Sequence, residues 1–528
     1  MFLFLLEVMN EKDKISSTNK IIVELLANFK WIHNFQVTKF FIDKPWNHIP
    51  EEWKNVLTRL TTEELNSLPF GYSKEDWPES LKKFITTASE MVLPRKISEE
   101  NKSCCLDPQI KRGMNPKKQH EVSHMSALIN DISVRTGCDV VIDVGSGLGY
   151  LGHVLTSVYG LKVIGLESKQ SHTTGADKRL FSDTDDKIIN VTFEMEDTPE
   201  NRLEFKSLMK SCFQKFRKSE CGKDMDCDGP KVSLSDSNLV NHSATNILTQ
   251  QKNTESEQCD ACLAESNQAP IQTDSDRKSN EQGDGPNTTL TGNDVTKSDV
   301  YRCLLIGLHC CGDLTPAMLR VYSEADFVRG LCCVSCCYHT MVSQEGTYPH
   351  FPMSKELDTV MSKNRLTPSA PFLRLGAQET RARWKTKSEE SHQSHVKAVA
   401  YRSLLELYAH QENVEFSKLF RRIATAGDFE NFDGYIEITL SRCQFSSTHG
   451  KDSMRTKLKA LYAEYHVYFQ YVEVITVLQV IVQPLIERLI IQDRVLWLLE
   501  NGHDSDMIPV FDDFISPRNI ALCSNKLP

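Results

Sequence analysis

Residues 139–152 read Asp-Val-Val-Ile-Asp-Val-Gly-Ser-Gly-Leu-Gly-Tyr-Leu-Gly. Val140, Val141 and Ile142 form a short apolar run of the kind that is buried on both faces of a parallel sheet. Asp143 closes the run. Gly145, Gly147 and Gly149 then make a tight turn into a helix that starts near Tyr150. A strand, an acid and alternating glycines let a ligand lie against bare backbone at the carboxyl end of a sheet. This stretch therefore confines the chain to the α/β class and places a binding site before anything else is read.

The neighbouring segments repeat the strand–helix alternation. Leu161 to Leu166 reads as a second strand ending at Glu167, and Ile188 to Phe193 as a third, followed by Glu194, Glu196 and Asp197. Cys303 to Leu308 is the fourth, ending in His309-Cys-Cys-Gly-Asp313. Val328 to Val334 leads into the fifth, closed by Ser335-Cys-Cys-Tyr-His339. Helical patterns over Leu151–Tyr159, Asp177–Phe181 and Thr315–Tyr322 separate them. Five strands alternating with helices predict a doubly wound, Rossmann-like parallel sheet. Ile508–Phe511 and Asn519–Cys523 are short strands suited to completing its edge.

The flanks differ in character. Residues 1–95 predict an N-terminal helical domain: Ile21, Ile22, Leu25, Leu26 and Phe29 share one helical face, and Thr61-Thr-Glu-Glu64 has the form of a helix start. Residues 96–200 hold the first half of the sheet. No aromatic residue occurs between Phe216 and Tyr301, and polar residues dominate, so 201–300 predicts a disordered insertion that splits the sheet domain. Strands four and five occupy 301–345. Residues 346–465 are mainly helical, and 466–528 supply a long helix with a kink at Pro484 and the closing strands.

The 528 residues carry a net charge of −10, which gives no global attraction to nucleic acid. Met1 to Leu6 is too short for a secretory leader, and Val467–Val482 too short and polar for a membrane span. The seventeen cysteines form no small-domain framework. They fit buried thiols in a reducing compartment, with the cytoplasm or nucleus as the expected location. Oligomeric state is not readable.

Three cofactors compete for the glycine turn. A phosphate loop needs Gly-Lys-Ser/Thr, which is absent. Gly147-Leu-Gly149-Tyr-Leu-Gly152 satisfies the dinucleotide spacing formally. S-adenosyl-L-methionine suits an acid two residues before Gly-x-Gly-x-Gly, which is Asp143 before Gly145, Gly147 and Gly149. The methionine end carries an ammonium and a sulfonium, which a carboxylate attracts, whereas a pyrophosphate is repelled. This favours S-adenosylmethionine. Glu167, about 20 residues past the glycines, suits ribose hydroxyls. Asp197 is the acid assigned to the adenine amine. Lys118, with Lys117, His120 and Glu121, opens the helix before the first strand and adds positive charge to its amide end.

The histidines and cysteines at the ends of strands four and five raise a zinc reading. Strand alternation argues against it. Cys333, Ser335, Cys337 and His339 fall on one face and Cys332, Val334, Cys336 and Tyr338 on the other, so the thiols diverge. The spacing of Cys221, Cys227, Cys259 and Cys262 is too irregular for a second site. No metal is assigned. His309 and His339, leaving the sheet side by side, are the candidates for positioning the acceptor or removing its proton. Asp313 is a lesser candidate that could instead cap the helix beginning at Thr315.

Asp143-Val-Gly-Ser-Gly-Leu-Gly149, Gly307-Leu-His-Cys-Cys-Gly-Asp-Leu314, Ser335-Cys-Cys-Tyr-His-Thr-Met341, Met114-Asn-Pro-Lys-Lys-Gln-His-Glu-Val122 and Ser516-Pro-Arg-Asn519 together resemble the methyltransferase-like protein 25 family. The resemblance covers nearly the whole chain outside the insertion. It implies a class I S-adenosylmethionine-dependent methyltransferase fold. The strand endings are also similar to those of tRNA 2′-O-methyltransferases with His-x-Cys-Gly and Cys-Cys-His-His, although this chain has Tyr338 where those have the first histidine. That likeness, with the basic patch Lys111, Arg112, Lys117 and Lys118, favours RNA over protein or a small molecule as acceptor. The rival readings are a non-catalytic scaffold that keeps the fold, and a dinucleotide oxidoreductase.

Overall fold

The run at 140–144 is an interior strand, third in the order, of a seven-stranded sheet. A computed structural model describes residues 10–98, 102–179, 186–221, 301–378, 380–420, 423–424, 427–446 and 450–526. In chain order the strands are β1 (Val140–Val144), β2 (Lys162–Glu167), β3 (Ile188–Thr192), β4 (Cys303–Cys310), β5 (Val328–Ser335), β6 (Ser505–Pro509) and β7 (Ile520–Asn525). Their spatial order is 3-2-1-4-5-7-6. The first five are parallel, and β7 inserts antiparallel beside β5 with Cys332 opposite Cys523. β6 then pairs antiparallel with β7, so it runs with the first five. The order reverses between β1 and β4, which puts the topological switch point outside their carboxyl ends. This is the class I methyltransferase arrangement expected from the sequence.

Alternation along each strand builds two cores. Val141, Val163, Leu304, Cys332 and Cys523 face one side, packed against α2 (Pro116–Thr136) and α3 (Tyr150–Tyr159). Val140, Ile142, Leu305, Cys333 and Leu522 face the other. Cys332 and Cys333 are fully buried on opposite faces, as small packing residues.

The second core extends well beyond the sheet. It includes the N-terminal helices, beginning with α1 (Glu11–Asn28), through Ile22, Val23 and Leu26. Thr61 opens its helix with a complete capping box: its hydroxyl accepts from the Glu64 N–H at 3.3 Å and Glu64 accepts from the Thr61 N–H at 3.1 Å. The N-terminal helices pack around the long helix α6 (Gln470–Glu500), which carries Pro484 in its interior. By length and composition α6 could cross a membrane, but it is the buried axis of the helical half. The described residues of 346–465 form mainly helices, the longest being α5 (Glu389–Glu412), and a short ladder pairs Phe416–Lys418 with Cys443–Phe445.

One boundary moves. Residues 199–221 form a helix, α4, and do not belong to the polar insertion. Phe205, Met209, Cys212, Phe213 and Phe216 recur at helical spacing and are buried. Their apolar face outweighs the lysines and serines between them. The rest of the expected insertion, 222–300, lies outside the described residues.

Candidate active site at the carboxyl ends of β1, β2 and β4

The glycine turn is latched to the end of β2. The N–H groups of Gly145 and Ser146 donate to the Leu166 carbonyl at 2.8 and 3.0 Å. Gly145, Gly147 and Gly149 all have positive φ, and Gly149 leads into α3. At Gly147, with φ +57°, no atom stands within 4 Å of where a Cβ would be, so the turn presents open space there. Its N–H donates to Glu167 Oε2 at 3.0 Å, and Glu167 Oε1 accepts from the Lys169 N–H at 3.1 Å. The acid at the end of β2 and the turn after β1 thus form one unit.

Asp143 is 2% exposed. Burial pushes its carboxyl up to about 7, and the nearby Glu167 charge adds to this while Lys118 opposes it. Lys118 reaches this neighbourhood because Asn115 caps α2, its side chain accepting from the Lys118 N–H at 2.8 Å. Asp143, Ser146 and Gly149 also wall a cavity of about 420 Å³ whose lining includes Arg112, Tyr150 and Asn190. Glu167, Asp197, His309 and His339 are not part of that lining.

A carboxyl raised in this way favours its protonated form in the folded state, so its stabilising effect is complete below the unfolded value near 4 and lost as pH rises through about 7. Asp143→Asn is therefore expected to stabilise the ligand-free protein at pH 8 by on the order of 3 kcal/mol and to be close to neutral at pH 4. Urea denaturation at both pH values tests this, and an equal gain at both would show that burial of the charge is not the cause.

At the end of β4 the backbone departs from regular pleating. The β4–β5 register shifts between Leu308 and Cys310, and His309 sits in the bulge with φ +67°. Bulges re-aim a side chain. Here His309 Nε2 meets Glu121 Oε2 of α2 at 3.0 Å. Glu121 is 1% exposed. Its other oxygen accepts from Ser516 Oγ at 2.7 Å, and Lys117 Nζ lies 3.5 Å away. Burial pushes Glu121 up, but His309, Lys117 and Lys118 together outweigh it and hold the carboxyl down to about 2. The result is an ionised carboxylate orienting a partly exposed imidazole. Glu121 belongs to a charge run that reads equally well as a solvated helix face. Only the fold, which brings it to a residue 188 positions away, reveals the pairing.

The remaining candidates separate. Asp197 does not stand open for an adenine amine. Its carboxylate is taken by Arg202 Nη1 at 2.9 Å, Arg320 Nε at 2.6 Å and His350 Nδ1 at 3.2 Å. His339 lies in the single helical turn Tyr338–Thr340 after β5, half-buried. That turn is tied to the β4 end, with the Gly312 N–H donating to the Cys337 carbonyl at 3.1 Å. Asp313 makes no side-chain cap. Its Oδ2 accepts from the Val342 N–H at 2.8 Å, which holds the same two loops together.

The Ser516–Asn519 segment clamps the site from behind. Ser516 holds Glu121, while Arg518 Nη1 lies 3.1 Å from Glu487, a buried acid of α6. Glu487 also meets Arg95, and accepts from the Tyr338 hydroxyl at 3.4 Å and from Gln483 Nε2 at 3.2 Å. Asn519 Nδ2 donates to the carbonyls of Arg95 and Phe511 at 2.9 and 3.0 Å. Tyr338 is thus committed to this network.

A methyltransferase domain model matches residues 117–344, the span from the start of α2 to the loop after β5. The chain is 26% identical over 503 residues to the probable methyltransferase-like protein 25 of Homo sapiens, covering 84% of this chain and 79% of that protein. It is 25% identical over 508 residues to the corresponding mouse (Mus musculus) protein, covering 84% and 80%. Over most of its length the chain resembles the methyltransferase-like protein 25 family, and residues 117–344 match a methyltransferase domain. The solved plantazolicin methyltransferase BpumL in complex with SAH is 8% identical, with a TM-score of 0.19 over 74% of this chain and 89% of its own. The fold assignment therefore rests on the strand order and not on that superposition.

Proposed function

We propose that this protein transfers a methyl group from S-adenosylmethionine, and that the cofactor sits over the Gly145–Gly149 turn. The observation that carries this is the Glu167–Gly147 hydrogen bond beside buried Asp143, which gathers the acid after β1, the glycines and the acid after β2. The chemistry of this donor set suits the ligand. A carboxyl raised to about 7 by burial gains from an incoming cation, as an ammonium or sulfonium provides, and opposes a pyrophosphate. Bound S-adenosylmethionine would supply a methyl group activated by its sulfonium. Glu167 would orient the ribose.

His309 stands at the end of β4, across the switch point from the glycine turn. A neutral imidazole there would take the proton of the attacking group, and ionised Glu121 would stabilise the imidazolium that forms. The protein's larger contribution is to hold donor and acceptor in line.

Gly147→Arg tests the cofactor reading. The side chain enters the open space over the turn, so calorimetric binding of S-adenosylmethionine should fall at least ~100-fold with the circular dichroism spectrum unchanged. Wild-type protein that binds NAD or NADP in preference to S-adenosylmethionine would overturn it. For the acceptor we propose RNA. Exposed Lys111 beside the cavity, with Arg112 and Lys178 on its lining, supports this. Labelled methyl incorporation into fractionated cell extract should be removed by ribonuclease and survive protease.

A further inference from the structure

Three cysteines have no part in methyl transfer, yet their sulfurs gather at one point. The Sγ atoms of Cys311, Cys336 and Cys337 all lie within 4.8 Å of one another. Cys311 and Cys336 are 3.0 Å apart, and Cys336 and Cys337 3.6 Å. Strand alternation does not separate them, because β5 ends at Ser335 and both later cysteines lie beyond the pleat.

We propose that these three thiolates bind one zinc ion. Zinc–sulfur bonds of about 2.3 Å in a tetrahedral site place sulfurs ~3.8 Å apart, and separations of 3.0 and 3.6 Å, with all three sulfurs within 4.8 Å, need only a small outward shift to reach it. The loops are fixed in advance. Gly312, with φ +55°, packs so closely that a Cβ would stand 2.8 Å from the Thr340 carbonyl oxygen. The Cys337 carbonyl accepts from the N–H groups of Gly312 and Thr340 at 3.1 Å and from Thr340 Oγ1 at 2.8 Å. Cys336 and Cys337 are buried while Cys311 is exposed, which gives the ion a way in.

At the proposed site a zinc ion displaces three protons, and the three-thiolate complex carries one net negative charge. Three described side chains make up the group, and water would complete the fourth position. Soft thiolates in this number select zinc over magnesium or calcium.

The test uses the full-length, reduced protein and Zn²⁺ alone, and does not depend on S-adenosylmethionine binding. Wild type should hold about one zinc per chain and release protons on binding. Cys311→Ser, Cys336→Ser and Cys337→Ser should each weaken zinc at least ~100-fold, beyond what loss of an outer hydrogen-bond partner costs. A variant combining Cys221→Ser, Cys227→Ser, Cys259→Ser and Cys262→Ser should retain it. Cobalt substitution should give a thiolate charge-transfer band that the single variants lose. Saturating zinc should protect Cys311 from alkylation while exposed Cys105 still reacts. Zinc binding equal in wild type and the single variants, or zinc that leaves Cys311 as reactive as Cys105, overturns the proposal.

Discussion

His309→Ala is expected to lower the turnover of methyl transfer by about 10²–10⁴-fold while leaving S-adenosylmethionine affinity within about twofold. The ring is the one partly exposed group that the β4 bulge aims away from the pleat, and a buried acid holds it there. Rates with saturating donor, beside calorimetry of donor binding, separate the two effects. Glu121→Gln should also lower turnover with donor affinity unchanged, since an amide no longer stabilises the imidazolium. The carboxylate also contributes stability of its own. Because its folded-state value is depressed to about 2, that contribution is present above about pH 4.5 and lost as pH falls toward 2.

Glu487→Ala should have the largest effect on stability, a loss of about 3–5 kcal/mol in urea denaturation, because it leaves Arg95 and Arg518 buried without their counter-charge. Glu487 is 1% exposed and lies in the helix around which the N-terminal helices pack. The control is Glu437→Ala, which breaks an equally well-formed pair with Arg455 on the surface, where solvent screens it, and should change little. Comparable losses in the two variants would mean that burial is not what makes the Glu487 network matter. Since Glu487 also holds Tyr338, its replacement should loosen the turn that carries His339 as well.

The parts of this protein that could be read from residues are those set by local chemistry. An apolar run, an acid and alternating glycines specify a strand and its turn. The Thr61–Glu64 spacing specifies a capped helix. Val328–Val334 announces a strand that is buried on both faces. The parts that escaped depend on distant partners or on small departures from regularity. Nothing in Leu308-His309-Cys310 marks a bulge. Glu121 looks like any acid in a charged helix start until the fold sets it against His309. Asp197 sits where a nucleoside-binding acid is expected, but Arg202, Arg320 and His350 arrive from three different segments to claim it. Alternation failed at Cys336 and Cys337 because one strand stops a single residue before them. Residues 199–221 were hidden by composition, since lysines and serines outnumber the aromatic residues that pack.

The antiparallel placement of β7 has a consequence during synthesis of the chain. β5 is completed at Ser335, but the strand that covers its edge ends at Asn525, 190 residues later (525 minus 335). At roughly 5–20 residues per second, the ribosome leaves that edge bare for about 10–40 s. The edge is apolar and rich in thiols, and its unpaired N–H and C=O groups are a template for pairing with other chains. Chaperone demand and aggregation of this protein should therefore track how quickly its last strand docks, more than the strength of the cofactor half that emerges first.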